Sequence, residues 1–444
     1  MKPVHCLSGP RHHRLTIQIG TVFCLLLLIC GSVLSARAEL VYLDLTASNM
    51  RKVMVAVPSF VNSSAPGQDQ AKGRAMAKLL ARGLKFHGFI KIMAPERYGD
   101  RQDADWKSLG VDYVILGHYE TTASGMMIEG RLLDVTQDKM LVGRRYRGSV
   151  KQQDEMVLML CDSLIKEFTG EPGISRTRIA FISDATGYKE AYISDVLGLK
   201  LRQVTRNRHL VVSPRFSPDG RYLAYSSYHT GNQNLYVTDL SQNKITRVIS
   251  RRPGMNLAPA WAPDGKTMIV TLSKDGNPDL YIIDRQGRIL KRLTSREGIN
   301  VSATWAPDGK SIAFVSDRSG TPQIYIMDMK NHRTRRLTFQ GNENTEPCWS
   351  PKGNLIAYTG RINGHHQIFT IDPAGTAPPP RQVTSGQGEF ESPAWSPDGK
   401  QIALSRRLGN KQQLYAIFAD GRGLRVLFHL KGNQSYPQWS CRPK

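Results

Sequence analysis

Short apolar runs separated by turn residues fill the C-terminal part of the chain. Residues 222–225, 312–315 and 355–358 are rich in β-branched and aromatic side chains. After a turn that contains Gly or Asn, each is followed by a second apolar run that ends in Asp, as in residues 235–239 and 324–328. Runs of this length and composition, bounded by turn residues, predict β-strands.

A short phrase precedes these runs and recurs along the chain. It reads aromatic, Ser or Ala, Pro, Asp or Lys, Gly, and it begins at Phe216, Trp261, Trp305, Trp349 and Trp395, with a degenerate last copy at Trp439. Pro, Asp and Gly in this order are suited to a tight turn between two strands. Successive glycines of the phrase are 44 to 46 residues apart. This period predicts a propeller blade of four strands.

The two ends of the repeat array complement each other. Residues 178–182, 192–195 and 202–205 supply three strands without the strand that should precede them. Residues 437–439 supply that kind of strand with nothing after it. Pairing the two ends would close the ring and remove its exposed sheet edges. We therefore predict an all-β six-bladed β-propeller over residues 174–444, closed by the C-terminal strand.

The region before the repeats alternates predicted strands with predicted helices. The segments are strands at residues 41–45, 53–57 and 111–116, a hairpin at residues 126–135 and 140–146, and helices at residues 69–86 and 156–168. The helical segments carry apolar residues at helical spacing and are followed by Gly88 and Gly170, which are suitable helix terminators. We predict a small α/β N-terminal domain over residues 39–170.

Residues 1–38 have the features of an export signal. Lys2, Arg11 and Arg14 precede the apolar residues 22–30, and Ala36 and Ala38 provide a small-x-small cleavage pattern. This pattern predicts a signal peptide cleaved after Ala38. An uncleaved membrane anchor is the alternative, although the apolar run is short for a membrane span.

The chain is strongly basic, with 60 Lys and Arg against 37 Asp and Glu and a net charge of +23. Four of the basic residues lie in the signal, so +19 remains after cleavage. Many basic residues recur in the fourth predicted strand of the repeat, for example Arg247, Arg335 and Arg381. They form either a solvated rim or a surface that attracts an anionic envelope surface or an acidic partner. No basic helix or aromatic-basic platform indicates nucleic acid binding.

Few residues indicate chemistry. Three cysteines lie outside the signal, Cys161, Cys348 and Cys441, and neither a disulfide framework nor a zinc site is predicted from them. His365 and His366 fall in a predicted turn without an evident carboxylate partner. No Gly-x-Ser-x-Gly nucleophile motif is present. We therefore predict no metal, no cofactor and no enzymatic activity.

The order of segments resembles the TolB family, the periplasmic component of the Tol-Pal system of Gram-negative bacteria. The resemblance rests on an export signal, a small α/β domain, the six-bladed repeat and the junction sequence Arg176-Thr-Arg-Ile-Ala180. It covers essentially the whole chain after the signal. It implies a monomeric periplasmic adaptor that supports outer-membrane integrity and cell division.

The resemblance also implies two protein partners. A Pal-like lipoprotein would bind one mouth of the propeller channel, and the matching positions are Met255, Asn256, Ala258, Asn300, Val301, Ser302, Asn344, Thr345, Glu346 and Glu391. A TolA-like inner-membrane protein would bind the N-terminal peptide, beginning with Glu39, Leu40, Val41, Tyr42, Leu43, Asp44 and Leu45.

Two alternatives remain open at this point. The Asn and Ser residues of the channel loops could simply cap turns. The whole protein could instead be a periplasmic propeller that binds or hydrolyses carbohydrate or peptidoglycan fragments, with Glu346 or Glu391 as a channel carboxylate.

Overall fold

The structure is a computed structural model that describes residues 51–443, apart from residues 66, 68, 242–245, 296 and 376–378. The predicted signal, the strand at residues 41–45 and the N-terminal peptide lie outside the described residues. Within the described part, no helix is both long and apolar enough to cross a membrane.

The first region is a mixed sheet with two helices. Its elements are β1 Val53–Ala56, β2 Val61–Asn62, α1 Gln70–Phe86, β3 Ile90–Ile92, β4 Tyr113–Thr122, β5 Gly125–Asp134, β6 Lys139–Gly148 and α2 Gln153–Thr169, with single 3-10 turns at Pro95–Arg97 and Val150–Gln152. The strand order is β3-β1-β4-β5-β6, and β2 also pairs with β4. β1 is parallel to β3 and β4, whereas β4, β5 and β6 form an antiparallel meander. The strand predicted at residues 111–116 corresponds to β4, which starts two residues later than predicted and continues to Thr122.

The helices form where the apolar spacing predicted them. Met76, Leu80 and Leu84 of α1 are fully buried, because residues three to four apart share one helix face. The chain reverses after each helix at a glycine with positive φ, Gly88 at 85° and Gly170 at 76°, a backbone conformation that glycine adopts without strain.

The rest of the chain forms six four-stranded antiparallel sheets, here called blades 1 to 6. Blade 1 contains β30 Gln434–Trp439, β7 Arg178–Ser183, β8 Glu190–Asp195 and β9 Arg202–Gln203; blade 2, β10 Val211–Phe216, β11 Tyr222–Ser227, β12 Asn234–Asp239 and β13 Thr246–Ser250; blade 3, β14 Asn256–Trp261, β15 Thr267–Leu272, β16 Asp279–Asp284 and β17 Ile289–Arg292; blade 4, β18 Asn300–Trp305, β19 Ser311–Ser316, β20 Gln323–Asp328 and β21 Thr334–Arg336; blade 5, β22 Asn344–Trp349, β23 Ile356–Ile362, β24 His365–Ile371 and β25 Arg381–Gln382; blade 6, β26 Glu389–Trp395, β27 Gln401–Leu408, β28 Lys411–Phe418 and β29 Arg425–Val426. The predicted fold class, a small α/β region followed by a six-bladed propeller, is confirmed.

The C-terminal strand closes the ring. β30 pairs antiparallel with β7, with Gln434 opposite Ser183 and Trp439 opposite Ile179. The Trp439 ring is buried, and its Nε1–H donates a 2.8 Å hydrogen bond to Thr177 Oγ1. Blade 1 therefore joins the two ends of the repeat array, as the register of the termini predicted.

The repeated phrase builds the turn after the first strand of a blade. In blades 3 and 4, Oδ1 of Asp264 and Asp308 accepts the backbone N–H of the residue two positions later, each at 2.9 Å. Hydrogen bonds of this kind are typical of Asx turns. The hydrophobic core lies between blades, as in the cluster that joins Leu235 of blade 2 to Trp261 and Met268 of blade 3.

The α/β region packs on the propeller beside the segment that links them. His87 Nε2 accepts the backbone N–H of Ile174 at 3.1 Å, and Nδ1 lies 3.0 Å from the carbonyl oxygen of Gly83. Asp162 Oδ1 accepts the backbone N–H of Ser175 at 2.8 Å. Cys161 is buried beside Ser175. The link is thus held by polar groups of α2 and of His87, the residue that follows α1.

The cations of the fourth strands are mostly exposed, as the rim interpretation expected, but several also contact other parts of the fold. One basic residue occupies the same pairing position in every blade: Arg202, Arg247, Lys291, Arg335, Arg381 and Arg425. Several of them donate to neighbouring groups, and Arg425 lies over the rings of Phe86 and Phe418. Burial lowers the pKa of Arg425 to about 10. These residues therefore also fasten neighbouring parts of the fold together.

Candidate partner-binding face

One face of the propeller carries the loops that enter the inner strands. The first strands of successive blades contact each other around the whole ring, so they line the central channel. Because each blade is antiparallel, the first strand starts at the same edge as the turn between the second and third strands. We call this edge the loop face; the opposite edge, with the Pro-Asp-Gly turns, is the turn face.

Every inner strand contains a bulge with a strained residue. The residue three positions before the end of each inner strand has a φ of 47° to 57°, and the six residues are Ser213, Ala258, Ser302, Glu346, Ser392 and Tyr436. The strand register shifts at each of them. A non-glycine residue with positive φ is uncommon, and such strain persists only where the surrounding structure holds it. Three of these residues are among the predicted Pal-facing positions: Ala258, Ser302 and Glu346.

The predicted asparagines are buried rather than presented to solvent. Asn256, Asn300 and Asn344 open three inner strands and are 0 to 3% exposed. Nδ2 of Asn256 donates to the carbonyl oxygen of Arg252 at 2.7 Å, and Nδ2 of Asn344 donates to that of Gln340 at 2.8 Å. These side chains hold the entry loops, as the turn-capping alternative anticipated. Their part in partner binding stays a prediction.

The predicted channel carboxylates lie in one polar cluster. Glu346 accepts hydrogen bonds from Thr359 Oγ1 at 2.8 Å and from the backbone N–H and Oγ of Ser392 at 2.6 and 2.9 Å. Burial, followed by the negative charge of Glu346, raises the pKa of Glu391. Burial, followed by the charges of both glutamates, also raises the pKa of Tyr436. The sequence analysis identified the two glutamates but missed Ser392 and Tyr436. Both residues could have been found because they occupy the same position of the repeat as Glu346.

A histidine-glutamate group borders the channel at the same face. His365 and His366 begin β24, and their Nδ1 atoms lie 2.8 and 3.0 Å from the carboxylate of Glu389. The expectation that these histidines lack a carboxylate partner is wrong, because Glu389 of the next blade reaches them across the interblade gap. Burial alone would raise the pKa of Glu389, but the hydrogen bonds from His365 and His366 bring it below its usual value. Among the described residues, no group has the arrangement of a metal site.

Exposed apolar side chains accumulate on the loop face. Leu210, Met255 and Ile299 occupy the position just before the inner strand in three consecutive blades and are 39 to 45% exposed. Phe339, in the loop before β22, is 72% exposed. Ile362 and Leu408, at the turns of blades 5 and 6, are also exposed. Apolar groups arranged around a polar channel mouth are typical of protein interaction sites. Of these residues, only Met255 was predicted.

The predicted TolA-facing residues, Glu39 to Leu45, lie outside the described residues.

Comparisons with known proteins are consistent with the architecture. The family described as "TolB beta propeller domain" matches residues 165–442, and the family described as "TolB amino-terminal domain" matches residues 41–141. The crystal structure of TolB from Acinetobacter baumannii superposes with a TM-score of 0.78 at 28% identity, covering 88% of this chain and 97% of that one.

Curated relatives show a shorter alignment. Tol-Pal system protein TolB of Desulfotalea psychrophila is 50% identical over 243 residues, covering 53% of this chain and 56% of the relative. The protein of the same name from Desulfosudis oleivorans is 37% identical over 245 residues, covering 52% and 55%. The chain thus spans about half the length of the curated relatives it matches. Because the propeller family alone matches more than half of the chain, this protein belongs to the TolB family.

Proposed function

We propose that this protein is a non-enzymatic periplasmic adaptor of the Tol-Pal system that binds a Pal-like lipoprotein through the loop face. The observation that carries this proposal is the set of exposed apolar residues around the channel mouth, above all Met255 and Ile299 at repeat-equivalent positions. Such residues supply binding energy when a partner covers them, whereas the polar cluster at Glu346 and Glu391 supplies specificity. In this role the protein supports outer-membrane integrity and cell division.

The proposal is tested by binding to a purified, detergent-solubilised Pal-like lipoprotein. Changing both Met255 and Ile299 to Asp places charges in the middle of the proposed interface and should weaken binding by at least about tenfold. The matched control changes Leu199 and Leu290, which are 47% and 55% exposed and lie away from the loop face, to Asp. The control should bind like the unchanged protein. Equal loss of binding in both variants would show that the loop face is not the binding surface.

The N-terminal peptide is the proposed site for a TolA-like protein. After export and cleavage behind Ala38, Glu39 to Leu45 would begin the mature chain. Mass spectrometry of the protein recovered from the periplasm should show Glu39 as its first residue. Deletion of residues 39–45 should abolish binding to a soluble TolA-like domain and leave binding to the Pal-like protein intact. Loss of both interactions would contradict two separate sites.

The hydrolytic alternative rests on the two neighbouring channel glutamates. The Glu346 carboxylate accepts three hydrogen bonds from Thr359 and Ser392, and this favours a structural role over proton transfer. We therefore expect no turnover of peptidoglycan fragments. Turnover that disappears in the Glu391→Gln variant would favour the enzyme instead.

A further inference from the structure

The cleft between blades 2 and 3 differs from three other clefts of the ring. It contains a cavity of about 350 Å³ that is lined by residues of both blades, among them Arg221, Tyr222, Arg247, Trp261 and Arg285. It lies towards the turn face, since Arg221 follows the Pro-Asp-Gly turn of blade 2 and Arg285 follows the third strand of blade 3. It is therefore separate from the proposed partner-binding face.

In three other clefts, the repeated fourth-strand cation closes the gap to the next blade. Lys291 Nζ lies 2.5 Å from His332 Nε2, Arg335 donates to the carbonyl oxygen of Pro373, and Arg381 Nη2 donates to that of Asp420 at 2.5 Å. Each acceptor lies in the turn after the third strand of the following blade. A bridge of this kind uses the cation that a ligand would otherwise meet.

Arg247 holds the same repeat position but makes no such bond. Among the described residues, it forms no hydrogen bond or ion pair, and the turn it would reach in blade 3 carries Arg285. The Arg285 guanidinium instead lies 4.5 Å from the centroid of the Tyr222 ring. The corresponding positions of blades 2 and 4 hold Leu240 and Met329. A second cation at this point repels Arg247, which has no acceptor among the described residues.

Besides Arg247, the indole N–H of Trp261 has no hydrogen-bond acceptor among the described residues in the same cleft. The indole N–H of Trp305 donates to the carbonyl oxygen of Ala260 at 3.2 Å, and that of Trp395 donates to Cys348 at 3.0 Å. Trp261 occupies the same repeat position, yet its buried Nε1 has no acceptor among the described residues. A buried N–H without an acceptor costs free energy, and in native structures it is usually satisfied by water or a bound group.

The charges of the cleft favour an anion. Three guanidinium groups line it, and the single lining carboxylate, Asp239, is held by Arg221 Nη2 at 2.8 Å. The lining groups thus have two cations in excess, which matches the charge of a phosphate monoester. Guanidinium groups bind phosphate through paired N–H donors. The rings of Tyr222 and Trp261 are stacked with their centroids 6.5 Å apart and form an apolar wall.

We propose that this cleft binds a phosphate monoester on a sugar-sized body, with Arg247 and Arg285 on the phosphate and the aromatic wall against the body. A cavity of about 350 Å³ is near the small end of the range of about 300–1,000 Å³ for ligand pockets, and this suits one sugar ring. The ligand could be a soluble sugar phosphate or the head group of an envelope lipid, since both present the same chemistry.

The test is isothermal titration calorimetry of the full-length mature protein with glucose 1-phosphate, with glucose and inorganic phosphate as separate probes. Glucose 1-phosphate should bind more tightly than inorganic phosphate, and glucose should not bind. The Arg247→Gln variant should weaken binding by about tenfold, because it removes one charged hydrogen-bond donor. Arg285→Leu, which introduces the residue of blade 2 at that position, should do the same.

The matched control is Arg335→Gln, which changes the same repeat position in a sealed cleft and should leave the affinity unchanged. Melting curves confirm that each variant is folded. Sedimentation with phosphatidic acid vesicles, compared with phosphatidylcholine vesicles, identifies the source. Binding to vesicles that is lost in Arg247→Gln assigns the cleft to a lipid head group, and binding to glucose 1-phosphate alone assigns it to a soluble ligand. The proposal is overturned if neither glucose 1-phosphate nor phosphatidic acid vesicles bind. It is also overturned if Arg335→Gln weakens binding as much as Arg247→Gln does.

Discussion

Two titratable groups at the domain junction, His87 and Asp162, lead to a pH-dependent prediction for the Asp162→Asn variant. Burial raises the pKa of Asp162 to about 6 and lowers that of His87 to about 4. Both groups contact the linking segment, through the backbone N–H groups of Ser175 and Ile174. Their ordinary values are 3.8 and 6.5, so both shifts favour the uncharged forms.

The two shifts act on stability in opposite directions. The folded protein holds the Asp162 proton more tightly than the unfolded chain, so stability falls as pH rises from about 4 to about 6. The folded state disfavours protonated His87, so stability falls as pH drops from about 6.5 to about 4. At about 1.4 kcal/mol per pKa unit, each group changes the free energy of unfolding by about 3 kcal/mol. In the unchanged protein these contributions largely cancel between pH 6.5 and 4.

Asp162→Asn removes only one of the two contributions. Its amide oxygen can still accept the backbone N–H of Ser175, whereas it cannot bind the proton that restores stability at low pH. We therefore subtract the free energy of unfolding of the unchanged protein from that of the variant. This difference should become about 2–3 kcal/mol more negative when the pH is lowered from 7.5 to 4. Urea unfolding followed by tryptophan fluorescence at both pH values measures this difference.

The control is Asp103→Asn, because the Asp103 side chain is 86% exposed. The difference in free energy of unfolding between this variant and the unchanged protein should be nearly the same at pH 7.5 and pH 4. A difference for Asp162→Asn that is equal at pH 7.5 and pH 4 would refute the assignment of Asp162 as a group whose charged form is disfavoured by burial.

Three further predictions concern the ring. Deletion of residues 436–444 should lower the melting temperature of the whole propeller, because β7 would become an open edge; a truncated chain that melts like the full one would contradict closure. Thr177→Ala should cost about 1–3 kcal/mol, since it leaves the buried Trp439 indole N–H without its acceptor, whereas Thr177→Ser should cost much less in the same denaturant titration. Ala258→Gly should stabilise by up to about 1 kcal/mol because φ is 47° there, and Ala260→Gly, in the same strand without positive φ, should destabilise; equal effects would argue against strain at the bulge.

Much of the propeller could be read from local residue patterns. The Pro-Asp-Gly turns and the apolar runs depend on neighbours a few positions apart, so their period gave the blade size. The missing first strand near residue 178 and the surplus strand at residues 437–439 predicted the closure that β30 and β7 form. The resemblance to the TolB family, and not the period of the repeat, pointed to Glu346 and Glu391.

Local patterns could not show how repeat-equivalent residues diverge. Arg247 and Arg335 occupy one repeat position, yet only Arg335 reaches an acceptor in the next blade. Arg247 instead lines the same cavity as Arg285 of the next blade, which is 38 residues away in the sequence.

The order and number of the propeller strands and the closure of the ring thus follow from the amino-acid sequence, because turn chemistry and alternation act over short distances. The positive φ of the six bulges, the burial of the channel asparagines, the unsealed cleft at Arg247 and the shifted pKa values of His87 and Asp162 arise only on folding. These features depend on desolvation and on contacts between residues far apart in the chain, and only the packed ring and its α/β neighbour bring those residues together.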